Sequence, residues 1–137
     1  MDFTVNIGST KERTIKVTSG QTTKFLWEGE NVLSTPSMIS EMEETCRLLL
    51  KEQFISDDDW DSVGTLVNIR HLAATPVGAN VVFIAKVVSA DGRRVLFDVE
   101  ATDNLERIGA GQHERFIINV PRFRDKFISK QKQLAKL

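Results

Sequence analysis

The stretch from Val32 to Phe54, VLSTPSMISEMEETCRLLLKEQF, most constrains what this chain can fold into. Met38, Ile39, Met42, Cys46, Leu49 and Leu50 recur at helical spacing and make one broad apolar stripe. Thr35 can cap the orphan N–H groups at its start. Pro36 suits the first helical position, having no N–H to lose. The segments on either side read as β-structure. The chain is therefore expected to be one long helix that a sheet must cover.

The strands are read from alternation and turn chemistry. Met1 to Gly8 is expected to be a loose lead-in. Residues 12–17 alternate as a short strand, Ser19-Gly20 turns, and residues 22–27 are β-prone. A loop, Trp27-Glu28-Gly29-Glu30-Asn31, delivers the chain to the helix. After the polar loop Ser56 to Asp61 come four further runs, at residues 63–72, 80–89, 93–102 and 106–120. Asp91-Gly92 marks a hairpin between the second and third. Gly109 and Gly111 point to a bulge or a close backbone approach within the fourth. Pro121 ends that run, and residues 122–137 read as a closing helix. A strand, a long helix and then an antiparallel meander make an α+β layout in which one sheet wraps the helix.

At 137 residues the chain suits a single domain, 1–137, with loose ends expected at 1–8 and 130–137. A net charge of −1 implies no general affinity for polyanions, so nucleic acid is not an expected partner. The single cysteine, Cys46, excludes an internal disulfide and fits a reducing compartment. No leader pattern opens the chain and no run approaches membrane-span length, so a cytoplasmic location is expected and no membrane partner.

Four residues carry the candidate chemistry. The chain has two histidines, and the two-residue period of its strand places His71 with Val67 and Ile69 on the face toward the helix layer that holds Glu43. Thr35 stands at the helix start. Gly64, lacking a Cβ, lets backbone come close to a substrate. A hydroxyl, a carboxylate, an imidazole and a free backbone N–H suffice for acyl transfer. Each also has a plainer reading: Thr35 as a helix cap, Glu43 on the solvent side, His71 as a structural histidine, Gly64 as a bulge.

The segments Thr35 with Met38, Met42-Glu43, Val63-Gly64-Thr65, His71-Leu72-Ala73-Ala74-Thr75-Pro76 and Gly111-Gln112-His113-Glu114-Arg115 resemble the hotdog-fold thioesterases, in the branch that includes fluoroacetyl-CoA thioesterase. The resemblance covers roughly residues 32–123. It implies an α+β hotdog fold, with a long central helix wrapped by an antiparallel sheet and a C-terminal helix. It implies hydrolysis of acyl-CoA thioesters, with coenzyme A as part of the substrate and no other cofactor. A homodimer is implied, with sites at the subunit interface and room for higher assembly. Thr35, Glu43 and His71 match the branch's catalytic residues, and Gly64 matches the glycine that approaches the thioester carbonyl. Glu43 and His71 are then assigned acid–base work, and Thr35 is nucleophile or orienter of water. Burial of Glu43 would suit that task, because a general base works best with its pKa near the working pH.

The match is incomplete at two points. Pro36-Ser37 follows Thr35 where the fluoroacetyl-specific member has Gly-Phe, and Glu28-Gly29-Glu30-Asn31 carries no phenylalanine where that member has an aromatic-bearing lid. Fluoroacetyl specificity is therefore not implied. The alternatives are an acyl-CoA-binding hotdog protein without turnover, and a thioesterase acting on a carrier-protein thioester. A hydratase is disfavoured by the lack of a neighbouring Asp and His on one segment. Arg115 is read as structural or as a holder of coenzyme A phosphates. The basic run from Arg122 is expected to be a solvated helix with Phe123 and Phe127 packed on the sheet. Asp57-Asp58-Asp59 lacks calcium-loop spacing, so no metal is expected. Cys46 is expected to be buried and inert.

Overall fold

The structure is a computed structural model and describes residues 3–137. Five strands form one antiparallel sheet: β1 (Thr10–Lys16), β2 (Trp60–His71), β3 (Asn80–Asp91), β4 (Arg94–Thr102) and β5 (Arg107–Asn119). Their order across the sheet is β1-β3-β4-β5-β2. Strands β3, β4 and β5 form a meander, but β2, expected as its first strand, pairs with β5 at the far edge instead of with β3. The earlier strands β1 and β2 close its two sides, so β2 is a free edge twelve residues long. Asp91 pairs with Arg94 across a two-residue loop in which Gly92 takes φ +60°, a conformation that costs glycine little.

Helix α1 (Thr35–Gln53) lies across one face of the sheet and touches all five strands. Its stripe is buried as expected at Met38, Met42, Cys46, Leu49 and Leu50, joined by Thr45, while Ile39 is only half-buried. Thr45 is tolerated there because its hydroxyl donates to the Glu41 carbonyl and accepts from Arg13 of β1. Facing α1 across the core are Phe83, Val87, Phe97, Ile108 and Ile117, all 1% exposed or less. Burial pushes the Cys46 thiol's pKa far up, so it stays protonated.

The helix starts differently from the sequence reading. Ser34 is the N-cap, its side chain accepting from Ser37 N–H, and Thr35 is the first helical residue. Residues 22–27 form no strand. They belong to a loop tied by single bridges, Thr22 with Leu33 and Val32 with Pro76. The Asn31 side chain takes the Leu26 N–H that a ladder would have used. Of the expected N-terminal lead-in, residues 1 and 2 lie outside the described residues. From residue 3 onward Phe3 meets Trp60 edge-on at 5.1 Å, Val5 is buried, and Gly8 N–H donates to Val87.

Helix α2 (Val120–Ala135) follows β5 without a loop, capped by Asn119. It buries no residue, and Phe123 and Phe127 are exposed rather than packed on the sheet. The cause is direction. α2 leaves the end of β5 and touches no other strand appreciably, so its rings find no sheet surface beneath them.

Candidate active site

Thr35 and His71 meet. Because Ser34 does the capping, the Thr35 hydroxyl is free, and it lies 2.8 Å from His71 Nδ1. The plain reading of Thr35 as a cap is therefore wrong. His71 pairs with Gly109 in the β2–β5 ladder. An alanine Cβ at Gly109 would sit 2.5 Å from Met38 Sδ, so this glycine lets the strand end close over the first turns of α1 and bring the imidazole to Thr35. The other imidazole nitrogen, His71 Nε2, is buried with no partner. Beside the pair is an open depression of about 410 Å³, lined by Val32, Thr35, His71, Leu72, Ala73 and Ala74.

The loop that follows β2 is fixed by a residue the sequence reading passed over. Thr75 is fully buried, its carbonyl accepts from Leu33 N–H just before α1, and its hydroxyl donates to Asp103. Threonine in Ala-Ala-Thr-Pro thus ties the two segments that carry Thr35 and His71. Ser37 is not among the residues lining the depression, and its hydroxyl lies 2.9 Å from that of Ser34. The stretch Glu28–Asn31 has no aromatic, but Phe25 and Trp27, directly before it, are exposed on the same loop.

Glu43 and Gly64 meet as well, in a second place. A Cβ on Gly64 would lie 2.6 Å from Glu43 Oε1 and 3.0 Å from His113 Cε1. Two residues not assigned to catalysis complete this cluster. His113 is fully buried and bonds through Nδ1 to the Leu66 carbonyl at 2.8 Å. Arg115 reaches His113 Nε2 at 3.2 Å and donates to Ser62 Oγ and Ser62 O at 2.7 and 2.6 Å. A guanidinium only donates, so Nε2 is the acceptor and Nδ1 carries the proton toward Leu66. Burial lowers the pKa of His113, in keeping with this neutral tautomer, and also lowers that of Arg115. Arg115 is held by these bonds well inside the sheet rather than reaching across it to a carboxylate. Glu43 is only partly buried, its side chain being 38% exposed.

The four expected residues therefore form two separate pairs in one chain. His71 and Gly64 are seven residues apart along β2, roughly 23 Å at ordinary strand rise. Thr35 and Glu43 are eight apart along α1, about 12 Å along its axis. The parity reading was right for Val67, Ile69 and His71, which pair with residues 113, 111 and 109 on the α1 side, while Gly64, an odd number of residues away, shares that side only because Thr65 is an extra residue. What the sequence could not show was that strand length holds the two pairs apart.

Residues 17–121 match the model of the fluoroacetyl-CoA-specific thioesterases. The fluoroacetyl-CoA thioesterase of Streptantibioticus cattleyicolor is 34% identical over 99 residues, covering 72% of this chain and 70% of that one. The chain belongs to the fluoroacetyl-CoA-specific thioesterase family. It is a hotdog-fold thioesterase, and its activity is acyl-CoA thioester hydrolysis. A solved structure of a fluoroacetyl-CoA thioesterase superposes with a TM-score of 0.84 at 29% identity, over 93% of this chain and 98% of that one. A variant of such an enzyme in complex with fluoroacetate and CoA gives 0.79 at 29% identity, over 87% and 99%. A thioesterase superfamily member from Thermus thermophilus, 24% identical, shares the fold with a TM-score of 0.86 over 98% of each chain.

Among the described residues, no three His, Cys, Asp or Glu side chains cluster as a metal site would require, and no helix is long and apolar enough to cross a membrane.

Proposed function

We propose that the reaction runs at sites shared between two copies of this chain, each built from Thr35 and His71 of one copy and Gly64 and Glu43 of the other. The supporting observation is the Thr35–His71 pair, whose Nε2 is buried and unsatisfied in the single chain. A buried polar atom of this kind costs free energy until something meets it.

The free edge supplies the route. β2 is long, uncovered, and exposes Leu66 and Val67 near its centre at 45% and 46%. Such an edge is a template for pairing with another chain. An antiparallel pairing of β2 with its copy, centred on Asn68 once the extra residue Thr65 is allowed for, sets His71 opposite the partner's Gly64. That symmetric contact brings the partner's Glu43 carboxylate beside His71, whose Nε2 must be uncovered to meet it, and covers the exposed part of Glu43.

In this arrangement the partner's Glu43 accepts from Nε2–H and leaves Nδ1 free to take the Thr35 proton. Thr35 Oγ attacks the thioester carbonyl, and backbone N–H at the partner's Gly64–Thr65 stabilises the oxyanion. The C–S bond breaks, and His71 passes its proton to the departing thiolate. Water then adds to the Thr35 ester, losing a proton to His71. The acid leaves and Thr35 recovers its proton. A general acyl-CoA is the substrate, and a carrier-protein thioester, sharing the pantetheine arm, is the second one to test.

Thiol release from a panel of acyl-CoAs, acetyl through medium-chain and aryl-acetyl, tests this reading. Release that collapses in folded His71→Ala supports it, and the best substrate names the acyl class. Full release from that variant overturns the site. Intact recovery of every acyl-CoA incubated with the folded wild type would point to a binding protein instead.

A further inference from the structure

The β2 ladder is out of register between Gly64 and Leu66, where one extra residue, Thr65, is accommodated against β5. A bulge of this kind turns a peptide away from its ladder and can aim its N–H elsewhere. In most bulges neighbouring ladder bonds hold the distortion. Here buried side chains of β5 do so on both sides of it. Arg115 binds the side chain and carbonyl of Ser62, two residues before Gly64. His113 binds the carbonyl of Leu66, two residues after. The Arg115–His113 bond at 3.2 Å joins the two anchors into one continuous brace.

The brace also has a floor. His113 Cε1 lies where a Gly64 side chain would go, and Glu43 Oε1 closes the space from the α1 side. His113 Nε2 is 3.8 Å from Glu43 Oε1, beyond hydrogen-bond reach, and that nitrogen already accepts from Arg115. His113 is therefore no acid or base for Glu43. Its proton is committed to Leu66.

We propose that His113 is a positioning residue, holding the Gly64–Leu66 bulge in the conformation that presents its backbone N–H to the thioester oxygen. This rests on the proposed role of Gly64, and it assigns to His113 an action on rate through the backbone. An asparagine at 113 can place an amide N–H where Nδ1–H now stands. An alanine cannot, and a glutamine reaches toward Arg115 instead.

Two measurements on the full chain test it. The first is amide hydrogen exchange, which does not depend on turnover. In His113→Ala, exchange at residues 64–66 should quicken about tenfold or more relative to β3 and β4, with His113→Asn close to wild type. The second is steady-state hydrolysis. His113→Ala should lower kcat by about 10²-fold, as loss of an oxyanion donor does, with KM within a few-fold and partial recovery in His113→Asn. Unchanged local exchange, or equal kcat in the alanine and asparagine variants, overturns the proposal. If the alanine variant does not fold, His113→Asn against His113→Gln carries the same comparison, and equal behaviour of those two overturns it. A wild type without turnover, but with the expected exchange pattern, would locate the failure in the reaction assigned to Gly64 rather than in the brace.

Discussion

The Thr35 hydroxyl and His71 Nδ1 are 2.8 Å apart although 36 residues separate them in the chain. The contact exists because Ser34, one residue earlier, caps α1 and leaves the Thr35 side chain uncommitted. It also leaves the imidazole's other nitrogen buried without a hydrogen-bond partner among the described residues.

If Thr35 is the nucleophile, Thr35→Ala and His71→Ala should each lower kcat/KM by about 10³-fold or more, and Thr35→Ser should stay within roughly tenfold of wild type. Side-by-side thiol-release assays check this. A Thr35→Ala enzyme within tenfold of wild type would return Thr35 to orienting water.

Gly64 and Glu43 give a different signature. In Gly64→Ala the new methyl group meets Glu43 Oε1, the far end of a flexible side chain that can swing away, and presses on His113 Cε1. The fold should survive with a cost of about 1 kcal/mol, while kcat falls about 10²-fold as both carboxylate and backbone donor shift. Urea unfolding together with hydrolysis rates separates the two effects. Equal losses of activity and stability in a largely unfolded protein would remove Gly64 from the site.

The buried neutral His113 makes stability depend on pH. Its pKa is lowered in the folded state by burial, so between that value and the unfolded-state value of about 6.5 the unfolded chain binds more protons. Stability should therefore be fully present above about pH 6.5 and decline as pH falls through that value toward the folded pKa. Thermal unfolding from pH 7.5 to 5 should show Tm falling, and His113→Asn should flatten the slope. A slope unchanged by that substitution would assign the dependence to another group.

The edge strand is tested by charge. Placing aspartate at both Leu66 and Val67 sets like charges about the centre of the proposed pairing. Since both side chains are partly exposed in one chain, the monomer should still fold. Sedimentation should show a shift from dimer to monomer, with hydrolysis lost. Full activity in a monomeric variant would contradict the shared site.

The fold was largely legible in the sequence because its signals are local. The α1 stripe, the Asp91-Gly92 turn and the alternation in β4 each report on neighbouring residues, and all reappear in the structure. The parity of β2 also placed His71, with Val67 and Ile69, correctly toward α1, whereas Gly64 joins that face only through the extra residue Thr65. Three things were not legible, each decided by distant contacts. Serine and threonine both cap helices, and the Ser34 bond to Ser37 N–H together with the Thr35–His71 contact tells them apart. The β-prone residues 22–27 lose their ladder to the Asn31 side chain. Phe123 and Phe127 have core-like spacing, but the exit direction of β5 leaves α2 without a surface to cover. The separation of the four residues into two pairs was hidden for the same reason, since spacing along a strand becomes distance only once the strand is known to run straight through both.

The most direct test of the shared site mixes two disabled enzymes. His71→Ala and Glu43→Gln are each made inactive, then co-refolded in equal amounts so that subunits redistribute. In a mixed dimer with shared sites, one site takes both lesions and the other takes none. Half of the dimers are mixed, so activity should return to about a quarter of wild type, as follows from the two-fold symmetry. If all four groups act within one chain, every site keeps a lesion and the mixture stays as inactive as its parents.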